Sequence, residues 1–290
     1  MRRSALRLLR CPTGCLKSLE ARSSLEEEGR IQTGSLHCAE CGGEYPIEQG
    51  IARMLPGEMK TAQATGDAGR KKSEMRARDA QAAAYDRMLG LKLFGVLELP
   101  ATMRRVQVGS AHIMLEAGCG TGRMTRAFAA NCASLVAVDF SWESLLSCRR
   151  KLDTAGVQNV DLIQADLCRM PLADGAFHRI ASCQVLEHIP SATARDEMVR
   201  HLARVAAPDA RIVVSAYQHS VFTRAFDRKE GEHSGGIYYY RFGRNELRAL
   251  LSTAMHVDTV SGSLVYHFMA TCRPAGDRAA AATLQRSDSV

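Results

Sequence analysis

Apolar and polar positions alternate along the chain, from His112 onward, in blocks whose lengths are typical of strands and helices. Short apolar runs predict strands at 112–117, 135–138, 160–164, 179–183 and 211–215. Amphipathic stretches predict helices at 124–130, 142–152, 192–205 and 245–251. Near the end, strands at 256–261 and 265–271 are predicted to form a hairpin with a Gly262–Ser263 turn. Because strands that alternate with helices form parallel sheets, the pattern predicts an α/β domain: a mostly parallel seven-stranded sheet with helices on both faces.

Changes in composition divide the chain into regions. Residues 1–56 combine short β-like runs with closely spaced cysteines, which predicts a small β module. Residues 57–75 lack apolar periodicity and predict a polar linker. A helix from about residue 74 leads into the main domain, 76–272. Residues 273–290 offer little to bury, which predicts a disordered tail.

Composition excludes several classes of protein. The 290 residues are 46% hydrophobic and 24% charged, which argues against wholesale disorder. No apolar run reaches the length of about 18 residues that a membrane-spanning helix needs. The segment before Cys11 is basic and lacks the apolar part of an export signal, so we expect a cytoplasmic protein with reduced thiols. The net charge of +7 hints at RNA as a partner, although basic residues mostly alternate with acids.

Four of the ten cysteines form two close pairs near the start of the chain. Three residues separate Cys11 from Cys15, and two separate Cys38 from Cys41. Two such knuckles bring four thiolates to a tetrahedral zinc ion, which a module with so thin a core needs as a staple. The pattern therefore predicts structural zinc in a zinc-ribbon-like module, with disulfides or free thiols as the alternative. Five other cysteines are expected to pack as small apolar residues: Cys132, Cys148, Cys168, Cys183 and Cys272.

A glycine-rich loop follows the first strand of the main domain, with glycines at positions 118, 120 and 122. Closely spaced glycines let a ligand approach main-chain N–H groups. Asp139 ends the second strand, where a carboxylate can accept hydrogen bonds from both ribose hydroxyls, and Asp166 ends the third, beside an adenine's amino group. Glu116 favours a zwitterionic or cationic ligand over a pyrophosphate. A dehydrogenase-like or purely structural α/β sheet is the alternative.

Several ordered motifs resemble those of the class I S-adenosylmethionine-dependent methyltransferases, in particular the methyltransferase type 11-like ones. They are Glu116-Ala117-Gly118-Cys119-Gly120-Thr121-Gly122, Val136-Ala137-Val138-Asp139, Ala165-Asp166 and Val185-Leu186-Glu187-His188-Ile189. The resemblance covers about residues 74–272. It implies a Rossmann-like fold and S-adenosylmethionine as the cofactor.

The resemblance also implies which residues hold the cofactor. Gly118 and Gly120 would line its methionine portion, and Cys119 and Gly122 would belong to the same cofactor-binding loop. Glu116 would lie near the amino group, although the family more often has Asp there, and Gln184 would sit at the same end. Asp139 would hold the ribose, Phe140 would pack on the adenine, and Asp166 with Leu167 would read the adenine edge.

The N-terminal module looks like the small zinc-ribbon proteins that activate methyltransferases. The similarity includes Tyr45-Pro46-Ile47-Glu48-Gln49-Gly50-Ile51, after the second cysteine pair. Three roles are open for such a ribbon: binding RNA, recognising a protein partner, or covering an edge of the main domain.

Methyl transfer from a sulfonium is an in-line displacement, so alignment supplies much of the rate and a base is optional. His188 is the candidate catalytic residue, as acceptor of a proton from an O–H or N–H nucleophile. The alternative, which we favour from sequence, is that Glu187 and His188 cap a helix and shape the site. The segment 228–242, with three adjacent tyrosines, fits a substrate lid and ordinary strand packing equally well.

These observations predict a methyltransferase that acts on an unidentified acceptor by direct displacement. One alternative is an RNA methyltransferase, acting on a ribosomal or transfer RNA base, that uses the zinc ribbon to bind RNA. An alternative of another class is a non-catalytic binding or scaffold module. The sequence leaves the acceptor atom open.

Overall fold

The computed structural model describes residues 1–57, 66–85, 89–219, 228–233, 235–263 and 266–276, without the side chains of 83–97 and 263. The predicted linker between 58 and 65 lies outside the described residues. So does the predicted tail from residue 277 onward. No helix in the described part of the chain is long and apolar enough to cross a membrane.

The N-terminal region is built mainly of strands. After a short 3-10 helix, Arg3–Leu8, it contains β1 (Glu20–Glu27), β2 (Arg30–His37), β3 (Glu44–Glu48) and β4 (Ile51–Arg53). Two helices connect it to the rest of the chain: α1 (Gly66–Tyr85) and α2 (Leu89–Val106).

The following region alternates strands and helices as the sequence pattern predicts. Its strands are β5 (Ile113–Ala117), β6 (Ser134–Asp139), β7 (Val160–Gln164), β8 (Phe177–Cys183), β9 (Ala206–Tyr217), β10 (Glu230–His233), β11 (Ile237–Tyr240), β12 (Met255–Ser263) and β13 (His267–Pro274). Its helices are α3 (Thr125–Ala129), α4 (Trp142–Thr154), α5 (Ala192–Val205) and α6 (Arg244–Leu251).

One large sheet contains all of the described strands except β10 and β11, which pair with each other. Its order is β1-β2-β3-β4-β7-β6-β5-β8-β9-β13-β12. The strands from β7 through β9 run parallel, and β13 lies antiparallel between β9 and β12. The predicted fold class is therefore confirmed: a mostly parallel seven-stranded Rossmann-like sheet, preceded by a small β module. Leu115, Val136, Ile163 and Ile180 at its centre are fully buried.

The small module extends the large sheet. Strand β4 pairs in parallel with β7, with Ile51 opposite Leu162 and Ala52 opposite Ile163. A second backbone contact joins Leu9 to Leu172 in an isolated bridge. One apolar cluster includes residues of both regions, so they share a core: Leu9, Ile31, Leu36, Ile47, Val136, Ile163 and Leu172 are among its members. Of the three roles open for the ribbon, the structure shows the covering of a sheet edge.

Two local predictions were wrong. Helix α1 begins at Gly66, so the second half of the predicted linker is helical. Its residues are good helix formers, and contacts such as Asp67 with Ser191 anchor it to the domain despite its lack of apolar periodicity. Gly262 pairs with Phe268 and Ser263 with His267 in the ladder between β12 and β13, so both residues belong to the strand and do not form the predicted turn.

Candidate functional site

A cavity lies at the carboxyl ends of β5, β6, β7 and β8. The chain leaves β5 toward β6 on one side and places β8 on the other, and ligands bind at such reversals of strand order in open α/β sheets. Ten of the residues that the sequence analysis proposes for the site line this cavity: Glu116, Gly118, Cys119, Gly120, Asp139, Phe140, Asp166, Leu167, Gln184 and His188. The roles assigned to them stay predictions.

The glycine loop is shaped by backbone constraints. Gly118 has a φ of 88°, and a Cβ built on it would lie 2.1 Å from Cγ2 of Val185, so only glycine fits. Gly120 also has a positive φ, but its Cβ would meet nothing within 4 Å because the position faces the cavity. Gly122 is not among the lining residues, and a Cβ there would lie 2.6 Å from Sγ of Cys148. Its glycine serves packing against α4.

Glu116 is the most unusual acid in the cavity. Its carboxyl group is buried, and Oε2 has no hydrogen-bond partner among the described residues. Burial raises the pKa of Glu116 to about 8, and the nearby Cys148 and Asp139 act in the same direction. Thr125 and Arg123 oppose the shift. At neutral pH the group therefore holds a proton unless a cation approaches Oε2.

Asp139 connects the glycine loop to the start of α4. Its carboxylate accepts hydrogen bonds from the backbone N–H of Gly120, at 2.8 Å, and of Ser141, at 2.9 Å. Burial raises the pKa of Asp139, and these hydrogen bonds oppose that effect. A carboxylate accepts about four hydrogen bonds, so Asp139 keeps capacity to accept from a ligand in the cavity.

Asp166 is paired in this structure. Its Oδ1 accepts the backbone N–H of Cys168, and its Oδ2 lies 2.7 Å from Nζ of Lys71 on α1. Both side chains of the ion pair are largely buried. Because each carboxylate oxygen keeps a further lone pair, Asp166 can accept one more donor at the cavity wall while Lys71 stays in place.

Helix α1 supplies a wall of the cavity that sequence reasoning missed. Its lining residues are Lys71, Glu74, Arg78, Gln81 and Ala82, which lie on one face of the helix. Glu74 accepts from Nε of Arg78, at 3.0 Å, and from the backbone N–H of Tyr238, at 3.1 Å. The signal in the sequence was a polar stripe at helical spacing, which equally describes a solvated face.

A buried network at the other end of the cavity was also missed. Glu98 on α2 is almost fully buried and accepts from Nη2 of Arg123 and from Oγ of Ser215, both at 2.8 Å. It also accepts a short hydrogen bond from the side-chain amide of Gln184. Gln184 has a φ of 58°, unusual for a residue other than glycine. A lone acid within an apolar helical stretch was the available signal for Glu98.

His188 is held by the backbone of strand β11. Its Nδ1 lies 2.7 Å from the carbonyl oxygen of Tyr238. A carbonyl only accepts, so Nδ1 carries the hydrogen and Nε2 keeps a lone pair. Burial lowers the pKa of His188 well below its usual value, so the ring is neutral at pH 7. The cap of α5 is Ser191, and no side chain caps the 3-10 turn Leu186–His188, which contradicts the helix-capping alternative.

Two other ionisable side chains beside the site are neutral. Both carboxyl oxygens of Glu187 are buried without a hydrogen-bond partner among the described residues, and burial raises its pKa to about 8. Cys183 lines the cavity instead of lying wholly in the core as expected. Burial raises the pKa of its thiol, which keeps it protonated and argues against a nucleophilic role.

The three adjacent tyrosines lie in the hairpin of β10 and β11. Tyr239 stacks on His233, with ring centroids 4.6 Å apart, and His233 lies beside His188. Tyr240 packs under the guanidinium of Arg195. The rings therefore pack as strand residues, while the backbone of the same hairpin contacts the site.

The four N-terminal cysteines come together as predicted. Their sulfur atoms all lie within 4.8 Å of one another, with Cys11 3.5 Å from Cys41 and Cys15 3.6 Å from Cys38. Tetrahedral zinc with bonds of about 2.3 Å places its sulfurs about 3.8 Å apart. None of the four is disulfide-bonded. The geometry fits a four-thiolate metal site.

Comparison with known proteins agrees with this geometry. Residues 114–209 match the family model described as a methyltransferase domain. The chain is 32% identical over 141 residues to the demethylmenaquinone methyltransferase of Clavibacter sepedonicus. The aligned residues make up 48% of this chain and 56% of that protein. The chain spans about half the length of the curated relatives that it matches.

Solved structures share the fold at low sequence identity. The DhpI–SAH complex has a TM-score of 0.57 at 19% identity and covers 72% of this chain and 98% of that one. A complex that contains the Haloferax volcanii Trm112 methyltransferase activator has a TM-score of 0.55 at 14% identity, covering 68% and 97%. At these identities the likeness shows the fold alone.

Proposed function

From a domain that matches the methyltransferase family and carries its fold, we propose that this protein is an S-adenosylmethionine-dependent methyltransferase that works by direct in-line displacement. The observation that carries the proposal is Glu116, a largely buried acid that lines the cavity and has one carboxyl oxygen left without a partner among the described residues. Buried acids are usually paired, so Oε2 is left for a donor that a ligand supplies, and a cationic donor would also stabilise the ionised form that burial disfavours. An ammonium group, such as that of the cofactor's methionine portion, fits both requirements.

The rest of the cavity fits the other parts of the same molecule. Asp139 has acceptor positions for ribose hydroxyls, and Phe140 offers a ring surface for a base beside it. Asp166 lies further along the same wall, where an adenine amino group would donate to it. Gly120 faces the cavity without a side chain, so the main chain can lie against the ligand. We assign the methionine portion to the end formed by Glu116, Gly118 and Gln184.

Catalysis under this proposal rests mainly on alignment. Bound S-adenosylmethionine supplies a methyl group on a positively charged sulfur, which leaves as a neutral thioether. The buried hydrogen bonds from Gln184 and Ser215 to Glu98 hold that end of the cavity rigid. Rigid placement of the reacting atoms replaces the entropy cost of bringing them together.

We further propose that Nε2 of His188 accepts the proton that the acceptor gives up. The Tyr238 carbonyl holds the ring in the tautomer that leaves Nε2 free to act as a base, and burial keeps the ring neutral. The low pKa makes His188 a weak base, suited to an acceptor whose O–H or N–H is already acidic.

We propose a small-molecule acceptor. Helix α1 contributes five residues to the cavity wall, and Tyr238 of β11 donates its backbone N–H to Glu74 of that helix, so helix and hairpin together cover one side of the cavity. Such cover suits a small molecule better than a base within a folded RNA. Similarity to a demethylmenaquinone methyltransferase, whose name denotes a small-molecule substrate, supports the same choice. Strand β4 of the ribbon module pairs with β7 at the edge of the parallel sheet, and this structural role does not require RNA.

We also propose that the four cysteines hold structural zinc. Four thiolates leave no open coordination position for catalysis, and the sulfur separations match a tetrahedral ion. The site belongs to the module and takes no part in methyl transfer.

Calorimetric titration tests the cofactor assignment. We expect S-adenosylhomocysteine to bind and NAD to leave no signal. Glu116→Ala is expected to weaken binding at least tenfold, because the ammonium loses its partner, while Glu27→Ala on the exposed strand β1 should have no effect. Binding of NAD with no affinity for S-adenosylhomocysteine would overturn the proposal. Labelled S-adenosylmethionine added to cell-extract fractions then identifies the acceptor: label in RNA would contradict a small-molecule substrate.

A further inference from the structure

One side chain of the N-terminal module reaches the loop that follows β6. Arg53, the last residue of β4, places its guanidinium carbon 4.5 Å from the centre of the Trp142 ring. Its Nε donates to Oε1 of Gln164 at 3.1 Å, and its Nη1 pairs with Glu48 at 2.9 Å. The contact joins residues 111 positions apart.

Gln164 carries this contact on toward the cavity. It is almost fully buried at the end of β7, and its Nε2 donates to the backbone carbonyl of Phe140 at 3.0 Å. With its two hydrogen-bonding ends used in opposite directions, the Gln164 amide has a single orientation. Arg53 therefore acts on Phe140 through one buried amide.

The loop in question is the one that forms the middle of the proposed cofactor site. It runs from Asp139, whose carboxylate takes the Gly120 N–H, through Phe140, which lines the cavity, to Trp142 at the start of α4. Arg53 holds this loop at two points from its outer side: Trp142 by stacking and Phe140 through Gln164. No residue of the module is among those that line the cavity, so its influence there is indirect.

We propose that Arg53 is a positioning residue through which the N-terminal module sets the affinity of the cofactor site. The inference rests on the proposed function, because it concerns the ribose and adenine end of the same cavity. The module thereby does more than cover an edge: it fixes the loop whose Asp139 and Phe140 face the nucleoside. A planar guanidinium is required because lysine can neither stack in this way nor donate along the Nε direction.

Arg53 suits this role better than a purely structural one. Its side chain is 37% exposed, and β4 is joined to β7 by backbone pairing that does not involve the guanidinium. Replacing it should therefore leave the sheet intact while freeing the loop. The chain's single tryptophan is Trp142, so tryptophan fluorescence reports on the surroundings of this one residue.

The test compares Arg53→Ala and Arg53→Lys with Arg22→Ala, an exposed arginine on β1 without a contact to the domain in the described structure. Titration with S-adenosylhomocysteine should show a dissociation constant raised about five- to tenfold in both Arg53 variants. Arg53→Lys keeps the charge for Glu48, so its melting temperature should match that of the wild type. The KM for S-adenosylmethionine should rise with kcat unchanged, and Trp142 emission should differ from the wild type.

Gln164→Leu completes the test. It removes the hydrogen bond to Phe140. In the double variant with Arg53→Ala, the dissociation constant should therefore rise by less than the product of the two single-variant increases. Wild-type affinity in both Arg53 variants, with Trp142 emission altered, would overturn the inference. Failure of the wild-type protein to bind S-adenosylhomocysteine would instead overturn the proposed function.

Discussion

The N-terminal end and the centre of the large sheet are stabilised in opposite ways. At the N-terminal end, β1 is exposed along almost its whole length, and its region has four thiols whose sulfur atoms lie within 4.8 Å of one another. At the centre, β7 is buried at every position between neighbouring strands. The stability of a small β region thus depends on cross-links and on packing against a neighbouring domain, while that of a parallel sheet depends on apolar burial.

The seam between these regions shows how they depend on each other. Arg2 forms a hydrogen-bonded ion pair with Asp161, whose side chain is fully buried on β7. Backbone pairing and a shared apolar cluster lie beside it. We therefore expect changes at the module and seam to alter stability, and changes at the carboxyl ends of the strands to alter binding and rate with little effect on stability.

The largest effect is expected from loss of the proposed zinc site. Zinc bound by four thiolates contributes on the order of 10 kcal/mol in small zinc peptides. Cys38→Ser, or prolonged chelation, should lower the melting temperature by more than about 10 °C, because the apolar cluster of the domain loses its outer cover. Calorimetry measures the melting temperature, and metal analysis measures the zinc content. Cys132→Ala, outside the four cysteines, is the control and should keep its zinc. A full complement of zinc in Cys38→Ser would show that the site lies elsewhere.

The next effect in size is expected at the seam. Arg2→Met leaves the fully buried Asp161 carboxylate without its ion-pair partner, at a cost of about 3 kcal/mol in the free energy of unfolding. Arg3→Met is the matched control, because Arg3 pairs with Glu26 at the surface, where solvent screens the pair, so its loss should change the free energy of unfolding far less. Urea unfolding measures both values. Equal costs for the two variants would mean that the seam adds nothing beyond ordinary surface pairing.

Much of the main domain could be predicted from sequence because its signals are local. Each strand of the parallel sheet is a short apolar run, and the glycine loop follows the first of them directly. The cysteine pairs are local for the same reason. Parallel pairing then brings the strand ends to one edge of the sheet, which is why ten proposed site residues share one cavity.

The seam and the α1 wall could not be predicted because they depend on contacts between distant residues. Arg53 and Gln164 meet across 111 positions, and nothing in either segment marks its partner. In α1, the stripe from Lys71 to Gln81 looks like a solvated helix face until Asp166 is placed opposite Lys71. Polar spacing alone does not distinguish a cavity wall from a surface.

At the carboxyl ends of the strands, His188→Gln should lower the turnover rate without changing the free energy of unfolding. Loss of a general base slows proton removal by a factor of about a hundred. The cofactor's dissociation constant should stay within about twofold, because the proposed mechanism places His188 against the acceptor and not against the cofactor. Steady-state kinetics with the acceptor identified by labelling measures kcat. The variant should recover activity as the pH approaches the acceptor's own pKa. Unchanged turnover would reduce His188 to a residue that shapes the site.

The smallest and most specific effect concerns the proton on Glu116. Its pKa of about 8 in the free protein exceeds the ordinary value near 4.5, so the acid is protonated at pH 7 and must lose that proton to pair with an ammonium group. Binding of S-adenosylhomocysteine should therefore release up to one proton and tighten as the pH rises from 6 to 8. Thr125, Arg123, Asp139 and Cys148 surround the group and keep their places in Glu116→Gln. That variant should release no proton. Calorimetry in phosphate and in Tris, whose ionisation enthalpies differ, measures the release, and identical heats for the wild-type protein would show that Glu116 does not meet the ammonium.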